Sequence, residues 1–233
     1  MLNKHIKGDH LYWYDTSLLK ENVSDAFNID FWRSQDAITG CAKGRGVTWF
    51  VQGELAEYAI RHYYRGGLLG KVINDRFLYF GEEKLRNLQE LQVLKHLAEH
   101  GVNVPKPVAA RVVKSCLSYQ ADIITQRIIG AKSLISLLSG GNVCESTLRS
   151  VGQEIRKMHD VGVNHTDLNV HNILIDNNKT VWIIDFDKCF QQSGDSWKQG
   201  NLDRLERSFL KENSQSSFTE NPSIWSSIKS GYR

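Results

Sequence analysis

The feature that most constrains this chain is a run of eight residues and one spacing. His165-Thr166-Asp167-Leu168-Asn169-Val170-His171-Asn172 is followed, thirteen residues after Asn172, by Asp185-Phe186-Asp187. Between them lie two apolar runs, Ile173-Leu174-Ile175 and Val181-Trp182-Ile183-Ile184, parted by Asp176-Asn177-Asn178. Apolar run, turn formers and apolar run predict a β-hairpin, which would bring Asp167 and Asp185 side by side. An aspartate after a strand is commonplace as a turn former. The combined offsets are not, and the segment is read as functional.

Two carboxylates and an amide in this order suit phosphoryl transfer, a reaction in which the protein positions groups and neutralises charge. Asp167 is the candidate for orienting an acceptor hydroxyl and taking its proton. Asp185 would hold Mg²⁺ against nucleotide phosphates, and the amide oxygen of Asn172 would complete the metal's octahedral shell. His165 is expected to support the loop, and His171 to be buried and hydrogen-bonded.

The remaining parts are sought upstream. Gly44-Arg45-Gly46 falls between extended stretches, and a glycine turn there could cover phosphates, although G-x-G alone is weak and Trp49 stands where a third glycine would be. On the predicted strand from Ala56 to Tyr64, period two puts Ala59, Arg61 and Tyr63 on one face, so Ala59 could lie against adenine while Arg61 reaches the phosphates. Arg65 and Lys71 are reserve cations. The surest helix spans residues 82–100, with Leu85, Leu88, Leu91 and Leu94 on one side. Glu90 lies beside that stripe and is the candidate partner of Arg61. Main-chain groups near Gln126 and Ile128 are the candidate contacts to adenine.

Elsewhere the pattern predicts an irregular first forty residues with one short helix near 28–34. Strands are expected at 47–51, 77–80, 111–113 and 119–129, and helices at 133–138, 144–160 and 201–211. The four cysteines form no C-x-x-C pair and are expected to be small buried hydrophobes. A composition of 41% hydrophobic and 24% charged residues is that of an ordinary globular protein. No stretch is long enough to span a membrane, and no leader is recognisable at the N-terminus. The net charge of +3 is too small to imply nucleic-acid binding.

Arg61-His62-Tyr63-Tyr64-Arg65-Gly66-Gly67-Leu68, with the His165 to Leu174 stretch and Ile184-Asp185-Phe186-Asp187, resembles the bacterial lipopolysaccharide kinases, in the branch that phosphorylates 3-deoxy-D-manno-octulosonic acid (Kdo). That resemblance implies an α+β, two-lobed protein-kinase-like fold: an antiparallel-sheet N-lobe over residues 1–126 and a mainly helical C-lobe over 127–233. It also implies ATP and Mg²⁺ as cofactors and the 4-hydroxyl of Kdo-lipid IVA as acceptor. The chain would make peripheral contact with the cytoplasmic face of the bacterial inner membrane, with no nucleic acid and no obligate protein partner. Arg65 and Lys71 would suit the acceptor's carboxylate and phosphates. Thr166 stands where regulated protein kinases carry arginine, and no A-P-E motif follows. A core heptose kinase and a nucleotide-binding pseudokinase scaffold remain as alternatives; an aminoglycoside kinase fits less well beside the basic stretch 61–76.

Overall fold

The computed structural model describes residues 2–44, 46–65, 75–141, 143–215 and 222–233. It divides into two compact units, Met1–Gln92 with Lys106–Arg127, and Val93–Pro105 with Ile128–Arg233.

The first unit is built on an antiparallel sheet. Its elements are β1 (Asn3–Lys7), β2 (His10–Tyr14), α1 (Val23–Ala26), α2 (Ile29–Ser34), β3 (Ile38–Lys43), β4 (Val47–Gln52), β5 (Glu57–His62), β6 (Phe77–Leu78), the first half of α3 (Arg86–Glu99), β7 (Pro107–Ser115) and β8 (Ser118–Gln126). Strand order is β1-β2-β7-β8-β5-β4-β3, with β6 also paired to β8. Tyr12, Val51, Tyr58, Ile60, Val108 and Ile124 bury one face of the sheet against Val23, Ala26, Phe27 and Trp32 of the two short helices. Each helix begins at an asparagine whose side chain accepts an amide N–H two residues on, Asn22 from Ser24 and Asn28 from Asp30, both at 3.0 Å. These bonds satisfy donors that a helix start leaves open.

The first forty residues are therefore not irregular, which corrects the sequence reading. Lys7 pairs with His10 across a two-residue loop, and Gly8 sits there at φ +62, where a glycine carries no Cβ penalty. Alternation failed as a signal because Leu11, Tyr12 and Trp13 are all buried in succession while β1 is exposed throughout. The expected short helix near 28–34 is α2.

The second unit holds the rest of α3, then β9 (Lys132–Ser133), α4 (Leu134–Ser139), α5 (Glu145–Asp160), β10 (Val163–Asn164), β11 (Ile173–Ile175), β12 (Val181–Ile183), β13 (Phe190–Gln191), α6 (Lys198–Gln215) and α7 (Pro222–Tyr232). Leu148, Val151, Ile155 and Met158 recur at helical spacing on α5 and are buried. Where α5 meets α7, backbone touches backbone: a Cβ at Gly152 would lie 2.0 Å from Ile228 O, and one at Gly231 1.9 Å from Arg149 O. Only glycine permits that approach.

The cysteines depart from expectation. Cys41, Cys116 and Cys144 are exposed and only Cys189 is buried; all four thiols are free. Cys116 occupies the β7–β8 turn at φ +41. No described helix is long and apolar enough to cross a membrane.

Candidate active site

The loop from β10 to β11 is fastened by its own polar side chains. Asn169 Oδ1 accepts the His171 N–H at 2.9 Å, and the Asn169 and Asn172 side-chain amides both donate to Asp167 O, each at 2.9 Å. The second of these bonds orients Asn172, because an amide that donates through Nδ2 presents Oδ1 elsewhere. Asn172 thus fits the role of a metal ligand: a largely buried side chain whose nitrogen is tied down and whose oxygen remains for a hard cation.

His165 joins the two halves of the site. Fully buried, it donates from Nε2 to Ile184 O at 3.0 Å and accepts the Asp167 N–H at Nδ1, 3.3 Å away. Burial holds its pKa below the ordinary histidine value, so the ring is neutral and can serve as donor on one side and acceptor on the other. One imidazole therefore ties the backbone of Asp167 to the residue preceding Asp185. Ile184 N–H bonds to Asn172 O at 2.9 Å, and β11 pairs with β12 from Ile173–Ile183 to Ile175–Val181.

The far end of the hairpin is closed by Asp176. Its carboxylate accepts from Asn178 N and Thr180 N at 2.9 Å and from Trp182 Nε1 at 3.0 Å. Burial alone would raise its pKa; these bonds hold it below the usual carboxylate value. Asp185 adopts φ +64, a left-handed conformation that aspartate tolerates better than most residues and that concentrates at functional sites.

The first unit carries a second arrangement. Arg61 lies on the face of β5 opposite Tyr58 and Ile60, and its guanidinium meets both oxygens of Glu90 on α3, at 2.5 and 2.6 Å. Glu90 is 3% exposed and also accepts the Tyr63 hydroxyl. One helical turn earlier, fully buried Asn87 donates to Arg111 O at 2.7 Å and to Asp122 O at 3.0 Å. That pair of bonds locks α3 onto the sheet with Glu90 facing Arg61, since positions three apart share a helix face.

The other expected residues are placed as follows. Gly44 N–H bonds to Gly46 O at 2.8 Å in the β3–β4 turn, and a Cβ on Gly46 would strike the Tyr64 ring. Ala59 pairs with Phe50 and Thr125 on the Arg61 face of β5. Gln126 N–H is bonded to Lys106 O and Arg127 N–H to Glu57 O, both at 2.9 Å, so neither amide is open to a base; of the two expected connector residues, Ile128 follows them. Arg65 donates to Arg76 O at 3.2 Å. Lys71 lies outside the described residues. His171 is exposed rather than buried, with Nε2 3.1 Å from Glu212 Oε1. Among the described residues, no group of three or more His, Cys, Asp or Glu side chains is arranged to hold a metal ion.

The sequence reading missed Asn201 and Ser208 of α6. Asn201 Oδ1 accepts His165 N–H at 3.0 Å, and Ser208 Oγ accepts Val170 N–H at 3.1 Å. The available signal was positional: Asn201, Leu205 and Ser208 share one face of α6, so two polar residues lie on the stripe that also holds buried Leu205.

A family model described as the lipopolysaccharide kinase (Kdo/WaaP) family matches residues 29–232. The 3-deoxy-D-manno-octulosonic acid kinase of Vibrio cholerae serotype O1 is 53% identical over 86% of this chain and 85% of its own. The protein of the same name from Vibrio vulnificus is 44% identical over 100% and 98% of the two chains. That of Actinobacillus succinogenes is 41% identical over 98% of each. The chain belongs to the lipopolysaccharide kinase (Kdo/WaaP) family.

Proposed function

We propose that this chain uses ATP to phosphorylate the 4-hydroxyl of the Kdo sugar on Kdo-lipid IVA, in the assembly of the lipopolysaccharide core. The observation that carries the reading is His165, one neutral imidazole that fastens the Asp167 and Asp185 segments together. The names of the relatives point to the same acceptor.

In this mechanism the acceptor hydroxyl donates its proton to the Asp167 carboxylate as its oxygen attacks the γ-phosphorus. The bond from that phosphorus to the bridging oxygen breaks, and ADP leaves with the electron pair. Asn172 and Asp185 would hold Mg²⁺, which when bound neutralises charge on the phosphates. Arg61, fixed by Glu90, would offer a rigid cation to those phosphates in the place where kinases of this fold usually carry lysine. Gly44 and Gly46 would let the β3–β4 turn approach the nucleotide, and Ala59 and Ile128 would contact adenine. Arg65 and Lys71 are proposed for the acceptor's anionic groups. The reading includes a two-lobed kinase arrangement, with lobes over 1–126 and 127–233, and peripheral attachment to the cytoplasmic face of the inner membrane, where a lipid-borne acceptor resides.

The test is phosphate transfer from ATP to purified Kdo-lipid IVA, with a heptose-bearing core oligosaccharide as second acceptor. The expected product is Kdo-lipid IVA heavier by one phosphate, located at the 4-position by NMR. Transfer to the heptose acceptor alone would replace the proposed substrate.

A further inference from the structure

A chain of hydrogen bonds runs from half-buried Tyr232 at the end of α7, through buried side chains, to the catalytic loop. Tyr232 OH lies 2.7 Å from His159 Nδ1, and His159 Nε2 lies 3.3 Å from Asn201 Oδ1. The same oxygen receives His165 N–H at 3.0 Å, while Asn201 Nδ2 donates to Asn164 Oδ1 at 2.8 Å. His159, Asn201 and His165 are 1%, 5% and 0% exposed.

The proton positions follow by elimination. A backbone N–H can only donate, so the Asn201 atom facing His165 is its oxygen. That oxygen has no hydrogen to give, so His159 Nε2 carries one. Burial pushes the His159 pKa down to about 4, which leaves the ring neutral near pH 7 and Nδ1 a bare acceptor. Tyr232 must therefore donate. Each link fixes the next, and the last holds the amide of His165, the residue that itself binds Asp167 N–H and Ile184 O.

The phenol has little freedom to leave. Gly152 and Gly231 bring α5 and α7 into backbone contact, Arg156 lies over the Tyr232 ring at 5.7 Å, and Trp197 meets the His159 ring at 5.1 Å.

We propose that Tyr232 is a positioning residue for phosphoryl transfer, acting through His159 and Asn201 to hold the loop that carries Asp167. This rests on the kinase reading above. Without its hydroxyl, Nδ1 is buried without a donor, the His159 tautomer is no longer specified, and the Nε2–H bond from His159 to Asn201 Oδ1 is no longer guaranteed. Small displacements of a catalytic group are costly, up to about a hundredfold for 1 Å.

The experiment compares the full chain with Tyr232→Phe, which keeps the ring. In the wild type, ¹⁵N NMR of His159 is expected to show a neutral Nε2–H ring with a hydrogen-bonded Nδ1, and in the variant that Nδ1 signal shifts to an unbonded position. The His165 amide should exchange about tenfold faster in the variant, while Ile175 and Val181 amides do not change. kcat should fall about tenfold with KM for ATP unchanged. Unaltered His165 exchange and kcat, with only a lowered melting temperature, would reduce Tyr232 to a packing role and overturn the proposal. An Nδ1–H tautomer in the wild type would overturn it without any variant. A wild-type chain that transfers nothing to Kdo-lipid IVA contradicts the proposed acceptor instead, and the relay is then decided by the tautomer and the His165 exchange.

Discussion

In the two units, the groups that support Arg61 and those that support the catalytic loop are organised by different means. In the first, beside neutral Asn87, buried carboxylates hold basic side chains: Glu90 faces Arg61, and Asp122, 5% exposed, holds Arg111 Nε at 2.9 Å and His62 Nδ1 at 2.8 Å. In the second, the network behind the catalytic loop is neutral, made of His159, His165, Asn164, Asn201 and the Tyr232 hydroxyl, while the buried carboxylate Glu154 bonds instead to Lys157 and the Asn103 N–H. The difference matches what each is proposed to do. A cation that must meet phosphates is held in one orientation by a buried carboxylate, whereas a loop that must hold a carboxylate in place is held by groups whose charge does not vary near neutral pH.

The largest effect should come from breaking the charged pair. Glu90→Ala removes the buried carboxylate that Arg61 and the Tyr63 hydroxyl both bond and is expected to cost about 3 kcal/mol in urea unfolding, the low end for a broken buried pair because the Arg61 side chain is 29% exposed. Asn201→Ala strands only neutral groups, the His165 N–H and His159 Nε2–H donors and the Asn164 Oδ1 acceptor, and should cost about 1–3 kcal/mol. Equal costs would dissolve the distinction between the units.

Acid is the next probe, and the two histidines should answer with opposite signs. For His62, burial lowers the pKa, but hydrogen bonds and charge from Asp122 and Asp75 outweigh it, and the net shift is upward. Its contribution to stability is fully present below about pH 6.5 and is lost as pH rises through the folded-state value. His159, depressed to about 4, behaves inversely. Its contribution is fully present above about pH 6.5 and declines as pH falls toward 4, by about 3 kcal/mol in all. Site-resolved ¹⁵N titration should show His62 protonating above, and His159 well below, the ordinary histidine value; a shared midpoint would refute the comparison.

Steric contrast sharpens it within the second unit. Gly152→Ala should destabilise by about 1–3 kcal/mol despite alanine's better helix propensity, since the new Cβ would meet Ile228 O at 2.0 Å. Gly200→Ala, on α6 with nothing within 4 Å, should stabilise by about 0.5–1 kcal/mol. Smallest of all, Arg149→Ala removes a bond to Glu145 between side chains more than half exposed and should cost about 0.5 kcal/mol or less.

What could be read from the sequence followed periodicity and fixed offsets. The hairpin of β11 and β12, the helix carrying Glu90 and the juxtaposition of Arg61 with Glu90 were all visible, because each depends on local spacing plus one buried stripe. The β1–β2 hairpin was invisible because consecutive burial of Leu11, Tyr12 and Trp13 erases alternation. The relay through Asn201 and Tyr232 was invisible for another reason. Its members are far apart along the chain, and a polar residue is recognised as buried only when its partners are known. His171 shows the converse error: a histidine inside a functional motif was expected to be buried, and it is exposed to pair with Glu212.

The most direct measurement is the separation of nucleotide binding from turnover in Asp167→Asn, a change that keeps the side chain's shape and removes its basicity. The account predicts Mg²⁺–ATP affinity close to that of the wild type and a fall in phosphate transfer to Kdo-lipid IVA of at least about a hundredfold. Transfer at the wild-type rate in Asp167→Asn would contradict the assignment of Asp167 as the base.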